Sequence, residues 1–166
     1  IELIVVMGML SALFALSAPS LSRFFRGHSL QEEARRFLAL TRFAQNEAVS
    51  LAIPLEICID VNLRRYGLFP LTGYEWPNRQ EWIFSYEEEI RLELIPNQNG
   101  APSDSRIIFG ADGILEERSL QAVRLYRENE ESFYIAQAEY GQRYAVLTQE
   151  EYERLLRFRS SITGTR

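Results

Sequence analysis

The sequence is poor in the residues on which most catalytic and metal sites depend. Its 166 residues include one cysteine, Cys58, and one histidine, His28. A single cysteine cannot form an intrachain disulfide, and it sits in an apolar run that favours a small buried side chain. A single histidine supports neither a zinc site nor a Cys/His pair, and no G-x-S-x-G elbow accompanies it. We therefore predict that the chain is not an enzyme and that it binds no metal and no cofactor.

Lysine is absent, so all eighteen basic residues are arginine, against 23 acidic residues and a net charge of −5. This acidic balance does not favour nucleic-acid binding by the molecule as a whole. One group of arginines near the C-terminus nevertheless supports an alternative, in which guanidinium groups contact phosphates without sequence preference. Its members are Arg154, Arg157, Arg159 and Arg166. The simpler interpretation is a solvated helix end whose cations lie at the negative pole of the helix dipole.

Residues 1–18 read IELIVVMGMLSALFALSA, in which only Glu2 is ionisable. At ~1.5 Å per residue such a helix spans about 27 Å, close to the hydrocarbon thickness of a bilayer. No basic segment precedes the apolar run, so a membrane helix is favoured over a cleavable signal. A carboxylate inside a membrane is costly unless paired, which makes Glu2 a candidate functional residue; the alternative is that it is solvated at the interface. The apolar residues of the predicted membrane helix are Leu3, Ile4, Val5, Val6, Leu10, Leu13, Phe14 and Leu16.

A second helical segment is predicted after this apolar run. The capping-box pattern Ser29-x-x-Glu32 opens it, and Pro54 ends it. Apolar and small residues recur at intervals of three or four and predict one buried face: Leu30, Ala34, Phe37, Thr41, Ala44, Ala48 and Leu51.

From residue 55 onward the pattern changes to short strands separated by turn residues, which favours antiparallel sheets. The predicted strands are Leu55–Val61, Arg65–Phe69, Trp82–Tyr86, Ile90–Ile95, Ile107–Phe109, Ala122–Tyr126, Phe133–Ala138 and Arg143–Leu147. Turns are predicted at Tyr66-Gly67 and Asp112-Gly113, among others. A capping box at Thr148 opens a last helix, Gln149 to about Arg159, with Tyr152, Leu155 and Leu156 on one side.

The N-terminal string Glu2-Leu3-Ile4-Val5-Val6, followed by an apolar helix and Pro19, resembles the N-terminus of type IV pilins and type II secretion pseudopilins. The resemblance implies a precursor that prepilin peptidase cleaves, with methylation of the new N-terminus. It implies that Glu2 neutralises the N-terminal amine of the preceding subunit and that Pro19 kinks the helix. Gly8 would allow close helix approach. We expect the leader peptide and the first residues of the mature pilin sequence to precede Ile1.

The segments Leu38–Ile59 and Arg106–Gly113 are similar to those of the H-type minor pseudopilins and the related T-type minor pilins. Tyr74–Glu89 and the C-terminus depart from that pattern. The implied α+β pilin-like fold has a long N-terminal helix on antiparallel sheets and a short C-terminal helix. The resemblance implies four segments along the chain. They are the membrane and filament-core helix (1–26), the amphipathic second half of the helix (27–54), the globular β domain (55–147), and the C-terminal helix and tail (148–166).

The function implied by the resemblance is that of a structural subunit of a type II secretion pseudopilus, which assembles through its hydrophobic helix. Its partners would be other pseudopilins or pilins, the peptidase and the inner membrane, with the domain in the bacterial periplasm. The alternative is a minor type IV pilin in pilus biogenesis or DNA uptake, contacting DNA through the C-terminal arginines.

Overall fold

The structure is a computed structural model that describes residues 7, 29–76, 82–97, 105–128, 131–138 and 142–163. Apart from Met7, the predicted membrane segment lies outside these residues, as do Glu2, Gly8, Pro19 and Arg166. Among the helices that are described, none combines the length and the apolar character needed to cross a bilayer. The predictions for the membrane segment therefore stay predictions.

Residues 29–51 are helical and are called α1. Six of the seven residues predicted to form its buried face are buried, and the seventh, Leu51, is half-buried. The buried face also includes Glu33 and Leu40. The helix ends in a Schellman-type turn, in which Ile53 N–H donates to Ala48 C=O at 3.2 Å and Ala52 adopts a left-handed φ of 53°.

Eight strands follow and form two antiparallel four-stranded sheets, sheet A in the order β3-β2-β1-β5 and sheet B in the order β4-β6-β7-β8. Each predicted strand is confirmed to within one residue at either end. The strands are β1 Leu55–Asp60, β2 Arg65–Pro70, β3 Trp82–Ser85, β4 Arg91–Ile95, β5 Arg106–Phe109, β6 Ala122–Tyr126, β7 Phe133–Gln137 and β8 Tyr144–Thr148.

The turn predicted at Tyr66-Gly67 is wrong, because both residues lie inside β2, where Gly67 pairs with Cys58 and Ile83. A Cβ at position 67 would lie 2.9 Å from the ring of Phe69 and 2.9 Å from the carbonyl oxygen of Trp82. Glycine is therefore required here by the close approach of its neighbours, not by a bend in the chain. The turn predicted at Asp112-Gly113 is confirmed, and Gly113 has a φ of +75°.

One apolar core, the main core, joins the buried face of α1 to the inner faces of both sheets. Phe37 of α1 contacts Tyr66 of sheet A with ring centroids 4.8 Å apart, and sheet B contributes Val123, Leu125 and Ile135. Alternate residues of a strand point to opposite faces, so Ala122, Tyr134 and Ala136 face away from this core. Sheet B therefore has a second apolar face to cover.

The second face of sheet B is covered by α2, Gln149–Thr163. Tyr152 stacks on Tyr134 with ring centroids 4.3 Å apart, and Leu155 is buried beside Ala122 and Ala136. We call this group the α2 core. The helix extends four residues beyond its predicted end at Arg159, and Leu156, predicted to share the packed side, is 38% exposed.

Candidate assembly site

The sequence predicts assembly through the N-terminal helix, so the candidate site is α1 together with the contacts that fix it to the sheets. Two sides of α1 differ sharply. One side enters the main core, whereas the other carries exposed residues along the length of the described helix. We call this second side the outer stripe; it comprises Glu32, Arg35, Ala39, Arg42, Asn46 and Val49.

A buried arginine links the first described turn of α1 to the sheets. Arg127 follows β6, and its side chain is only 6% exposed. Its Nη2 donates to Ser29 Oγ at 3.1 Å and to Glu87 Oε2 at 2.9 Å, while its Nε lies 3.4 Å from Glu89 Oε2. The Ser29 hydroxyl in turn donates to Glu87 at 3.3 Å. The Arg127 guanidinium thus connects α1, the β3–β4 loop and sheet B. Its planar group carries five N–H donors and can bind several acceptors at once.

A second polar contact lies inside the main core. Tyr66 of β2 donates its hydroxyl to Glu33 Oε1 at 2.6 Å, and Arg36 Nη1 lies 3.3 Å from Glu33 Oε2. Burial raises the pKa of Tyr66 well above its usual value, and the hydrogen bond to Glu33 raises it further. Glu33 is 4% exposed, and these two contacts offset the cost of burying its polar side chain. The contact fixes the rotation of α1 over sheet A.

A third contact holds the other end of α1. Gln45 Nε2 donates to the carbonyl oxygens of Gly113 at 2.8 Å and Gln142 at 3.2 Å. A Cβ at position 113 would lie 2.7 Å from Val49 Cγ2, so the glycine lets the turn after β5 approach the helix backbone closely. The glycine turn that the sequence places after this strand is therefore a docking point for α1.

The three C-terminal arginines that the structure describes, Arg154, Arg157 and Arg159, do not form one surface. Arg159 donates to the backbone carbonyls of Gln137 at 2.8 Å and Ala138 at 3.3 Å, which ties α2 to the end of β7. Arg154 and Arg157 are exposed, and Arg157 lies 4.0 Å from Glu153. Arg159 is separated from Arg154 by five residues and so projects from another side of the helix. Of the arginines predicted to contact nucleic acid, only Arg154 and Arg157 are exposed among the described residues.

Cys58 is half-buried on the outer face of sheet A, so the prediction of a buried small side chain is only partly right. Burial and the neighbouring Glu56 raise the pKa of its thiol to about 11, which makes it a poor nucleophile. Elsewhere the described residues include no group of three or more His, Cys, Asp or Glu side chains placed to hold a metal ion.

The contacts of Arg127 with the acidic run Glu87-Glu88-Glu89 were not predicted from the sequence. Two of these carboxylates bind Arg127, and the third, Glu88, lies 3.0 Å from Arg64. An acidic triplet between two strands is a weak signal by itself, because the partners are 40 and 24 residues away in the chain.

The arrangement of α1 and the two sheets is shared with solved structures of minor pseudopilins. A structure of the minor pseudopilin EpsH from the type 2 secretion system of Vibrio cholerae aligns with a TM-score of 0.55 and 18% identity, covering 72% of this chain and 97% of that chain. The fold is that of a minor pseudopilin. A second EpsH crystal structure aligns with a TM-score of 0.51 and 16% identity, covering 74% of this chain and 94% of that chain. The predicted pilin-like α+β fold is thereby confirmed.

Neither a protein-family profile nor a curated protein matches the chain in sequence. At identities of 16–18% the two structures establish a shared fold and not a shared activity.

Proposed function

We propose that this chain is a minor pseudopilin, a structural subunit of a type II secretion pseudopilus that assembles through its N-terminal helix. The observation that carries the proposal is the shared fold with EpsH, which accounts for nearly the whole length of the solved EpsH chain. The pseudopilin-like string at residues 1–6 supports the same conclusion from an independent part of the sequence.

The arrangement around α1 is consistent with this role. Over residues 29–51 the helix has one buried side and one exposed side, and polar contacts at Ser29 and Gln45 fix it to the sheets. A force on the helix would therefore be passed to the whole domain and not absorbed by a hinge. In this proposal the outer stripe of α1 faces neighbouring subunits, with the domain in the periplasm and the predicted helix of residues 1–18 in the inner membrane before assembly.

The decisive residue in the proposal is Glu2, which would pair with the N-terminal amine of the neighbouring subunit. Removing one member of such a pair leaves the other unpaired in an apolar environment, at a cost of about 3–5 kcal/mol. In the native host, we expect Glu2→Ala in the full-length precursor to stay folded and membrane-bound but to lose filament incorporation and secretion. Glu150→Ala removes an exposed carboxylate from α2 and serves as the matched control. Normal incorporation and secretion with Glu2→Ala would contradict the proposed role.

The alternative, DNA capture by a minor type IV pilin, has less support. It rests on Arg154, Arg157, Arg159 and Arg166, and the guanidinium of Arg159 is engaged by backbone carbonyls. Phosphate contacts weaken steeply as salt rises, so a salt-sensitive affinity for duplex DNA that Arg154→Gln with Arg157→Gln abolishes would favour the alternative.

A further inference from the structure

A polar cavity of about 530 Å³ opens where the two sheets meet. Its walls come from the turn between β1 and β2, from the β3–β4 loop, and from the neighbouring strands β4 and β6. Three described side chains matter for its chemistry: Arg64, Tyr86 and Arg91. We call it the donor cavity, because guanidinium and hydroxyl groups dominate its chemistry.

Tyr86 is the feature that sets this cavity apart from an ordinary surface recess. The residue is 7% exposed, and its hydroxyl is buried without a hydrogen-bond partner. A buried polar group without a partner costs about 1–3 kcal/mol, and native structures contain few of them. The ring is held in place by near-parallel packing on Tyr66, with centroids 6.5 Å apart. The hydroxyl is therefore fixed in position and lacks an acceptor.

The two arginines around Tyr86 are free to take a new partner. Arg91 forms no ion pair with any described residue, and it is exposed at the start of β4. Arg64 pairs with Glu88 at 3.0 Å, but the Glu88 side chain is 84% exposed. A pair so exposed contributes little free energy and is easily exchanged for another acceptor. Arg64 also has a left-handed φ of 50° and is the last residue of the turn before β2, where its carbonyl oxygen accepts from the Tyr86 N–H at 3.2 Å.

Net charge selects the class of ligand. Among the residues that line the cavity, Arg64 and Arg91 contribute two positive charges and Glu88 one negative charge, a net charge of +1 (2 − 1). The carboxylates of Asp60 and Glu33 lie outside the lining but also act on the Tyr86 hydroxyl. This balance suits a monoanion with two acceptor oxygens better than a dianion such as phosphate. Guanidinium groups bind carboxylates in a bidentate geometry, and a tyrosine hydroxyl donates to the same oxygens.

We propose that the donor cavity binds a carboxylate, with Arg91 and Arg64 holding its charge and the Tyr86 hydroxyl donating to one oxygen. The ligand displaces Glu88 from Arg64 as it binds, because that ion pair is largely exposed and is easily exchanged. The carboxylate comes from an acidic side chain of another protein or from a free organic acid; both sources share this chemistry. The site is independent of the proposed filament role, because it rests only on the residues of the cavity.

The test is a titration of the purified full-length chain, in detergent, labelled at tyrosine Cζ with carbon-13. Sodium acetate and the peptide acetyl-Gly-Glu-Gly-amide are the two probes, with sodium chloride at equal ionic strength as the salt control. We expect the Tyr86 resonance to shift saturably with acetate and peptide and not with chloride. Binding at least about tenfold tighter for the peptide than for acetate would assign the site to a protein partner, and equal affinities to a free acid.

Three variants distinguish binding from nonspecific effects. Arg91→Gln should weaken binding by about tenfold, since it removes a charge-assisted contact. Arg157→Gln, at an exposed arginine on α2, should leave the affinity unchanged. Tyr86→Phe removes a hydroxyl with no partner, so it should weaken binding about threefold, followed at Tyr126, while leaving the unbound protein at least as stable. Shifts that do not saturate, tighter binding of inorganic phosphate, or an Arg91→Gln variant with full affinity would overturn the proposal.

Discussion

The two helices are attached to the same pair of sheets in different ways. α1 packs on the inner faces of both sheets, and polar contacts from Ser29, Glu33 and Gln45 fix its position along and around its axis. α2 packs on one face of sheet B through a small apolar group and one arginine. This difference indicates that α1 is part of the folding unit of the domain, whereas α2 covers a sheet face that would otherwise be exposed.

The largest expected effect is on the free energy of unfolding, when one buried aromatic side chain is truncated in each of the two cores. Phe37 is fully buried in the main core, and Phe37→Ala should lower the free energy of unfolding by about 3–5 kcal/mol. Tyr152 is buried under a single helix that can shift to fill the space, so Tyr152→Ala should cost about 2 kcal/mol. Urea unfolding followed by circular dichroism measures both values. Equal losses would mean that α2 belongs to the same cooperative unit as α1.

A smaller effect is expected at the polar junction of α1. Arg127→Gln removes a buried guanidinium, but Glu87 and Glu89 have exposed fractions of 59% and 55% and regain water. We therefore expect a loss of about 2 kcal/mol, below the usual cost of breaking a fully buried pair. Arg118→Gln, at an arginine 66% exposed, is the control and should change stability by less than about 0.5 kcal/mol. A loss no greater than that of the control would show that the junction does not hold α1 in place.

The glycine turn offers a sharper pair of variants. Gly113 and Gly73 both have positive φ, at 75° and 99°, but only Gly113 faces a side chain of α1. Gly113→Ala should therefore cost about 1–2 kcal/mol more than Gly73→Ala, which has open space around the new methyl group and carries only the backbone penalty. Thermal unfolding of the two single variants provides the difference. The docking of the turn on α1 would be refuted by equal costs.

The smallest effect concerns the start of α2. Glu151 accepts hydrogen bonds from the Thr148 amide at 2.8 Å and the Thr148 hydroxyl at 3.1 Å, and these hold its pKa below the ordinary value of 4.5. A carboxyl group whose pKa is lowered by folding stabilises the helix above its unfolded pKa, and the contribution is lost as pH falls through the folded pKa.

We therefore expect the stability difference between wild type and Glu151→Ala to be largest near neutral pH and to vanish in acid. Carbon-13 titration of the Glu151 side-chain carboxyl should give a midpoint below the ordinary value of 4.5. A midpoint at or above that value would contradict the capping interaction.

The strands and the buried side of α1 were predictable because both depend on local periodicity, and the capping box at Thr148 depends on four adjacent residues. Sheet membership was not predictable. β5 pairs with β1 in sheet A, whereas β4, which precedes it, belongs to sheet B. Such a choice is decided by long-range packing, which leaves no local pattern in the sequence.

The polar contacts of the candidate site were missed for the same reason. Glu33 lies on the apolar side of a helical wheel, and its partner Tyr66 is 33 residues away. Gly67 was misassigned because a glycine between strand-forming residues indicates a turn or a close contact equally well, and only the positions of Phe69 and Trp82 decide between them.

The most direct test of the account is cysteine cross-linking in the native host, because the chain has only one cysteine to replace. In a Cys58→Ser background, single cysteines at Ala39 and Asn46 lie on the outer stripe of α1, and control cysteines at Glu150 and Arg157 lie on α2. We expect oxidative cross-links from the outer stripe to a pilin-type subunit, which disappear when Glu2→Ala is added, and none from α2. Cross-links formed by α2 alone, or outer-stripe cross-links that persist without Glu2, would contradict assembly through α1.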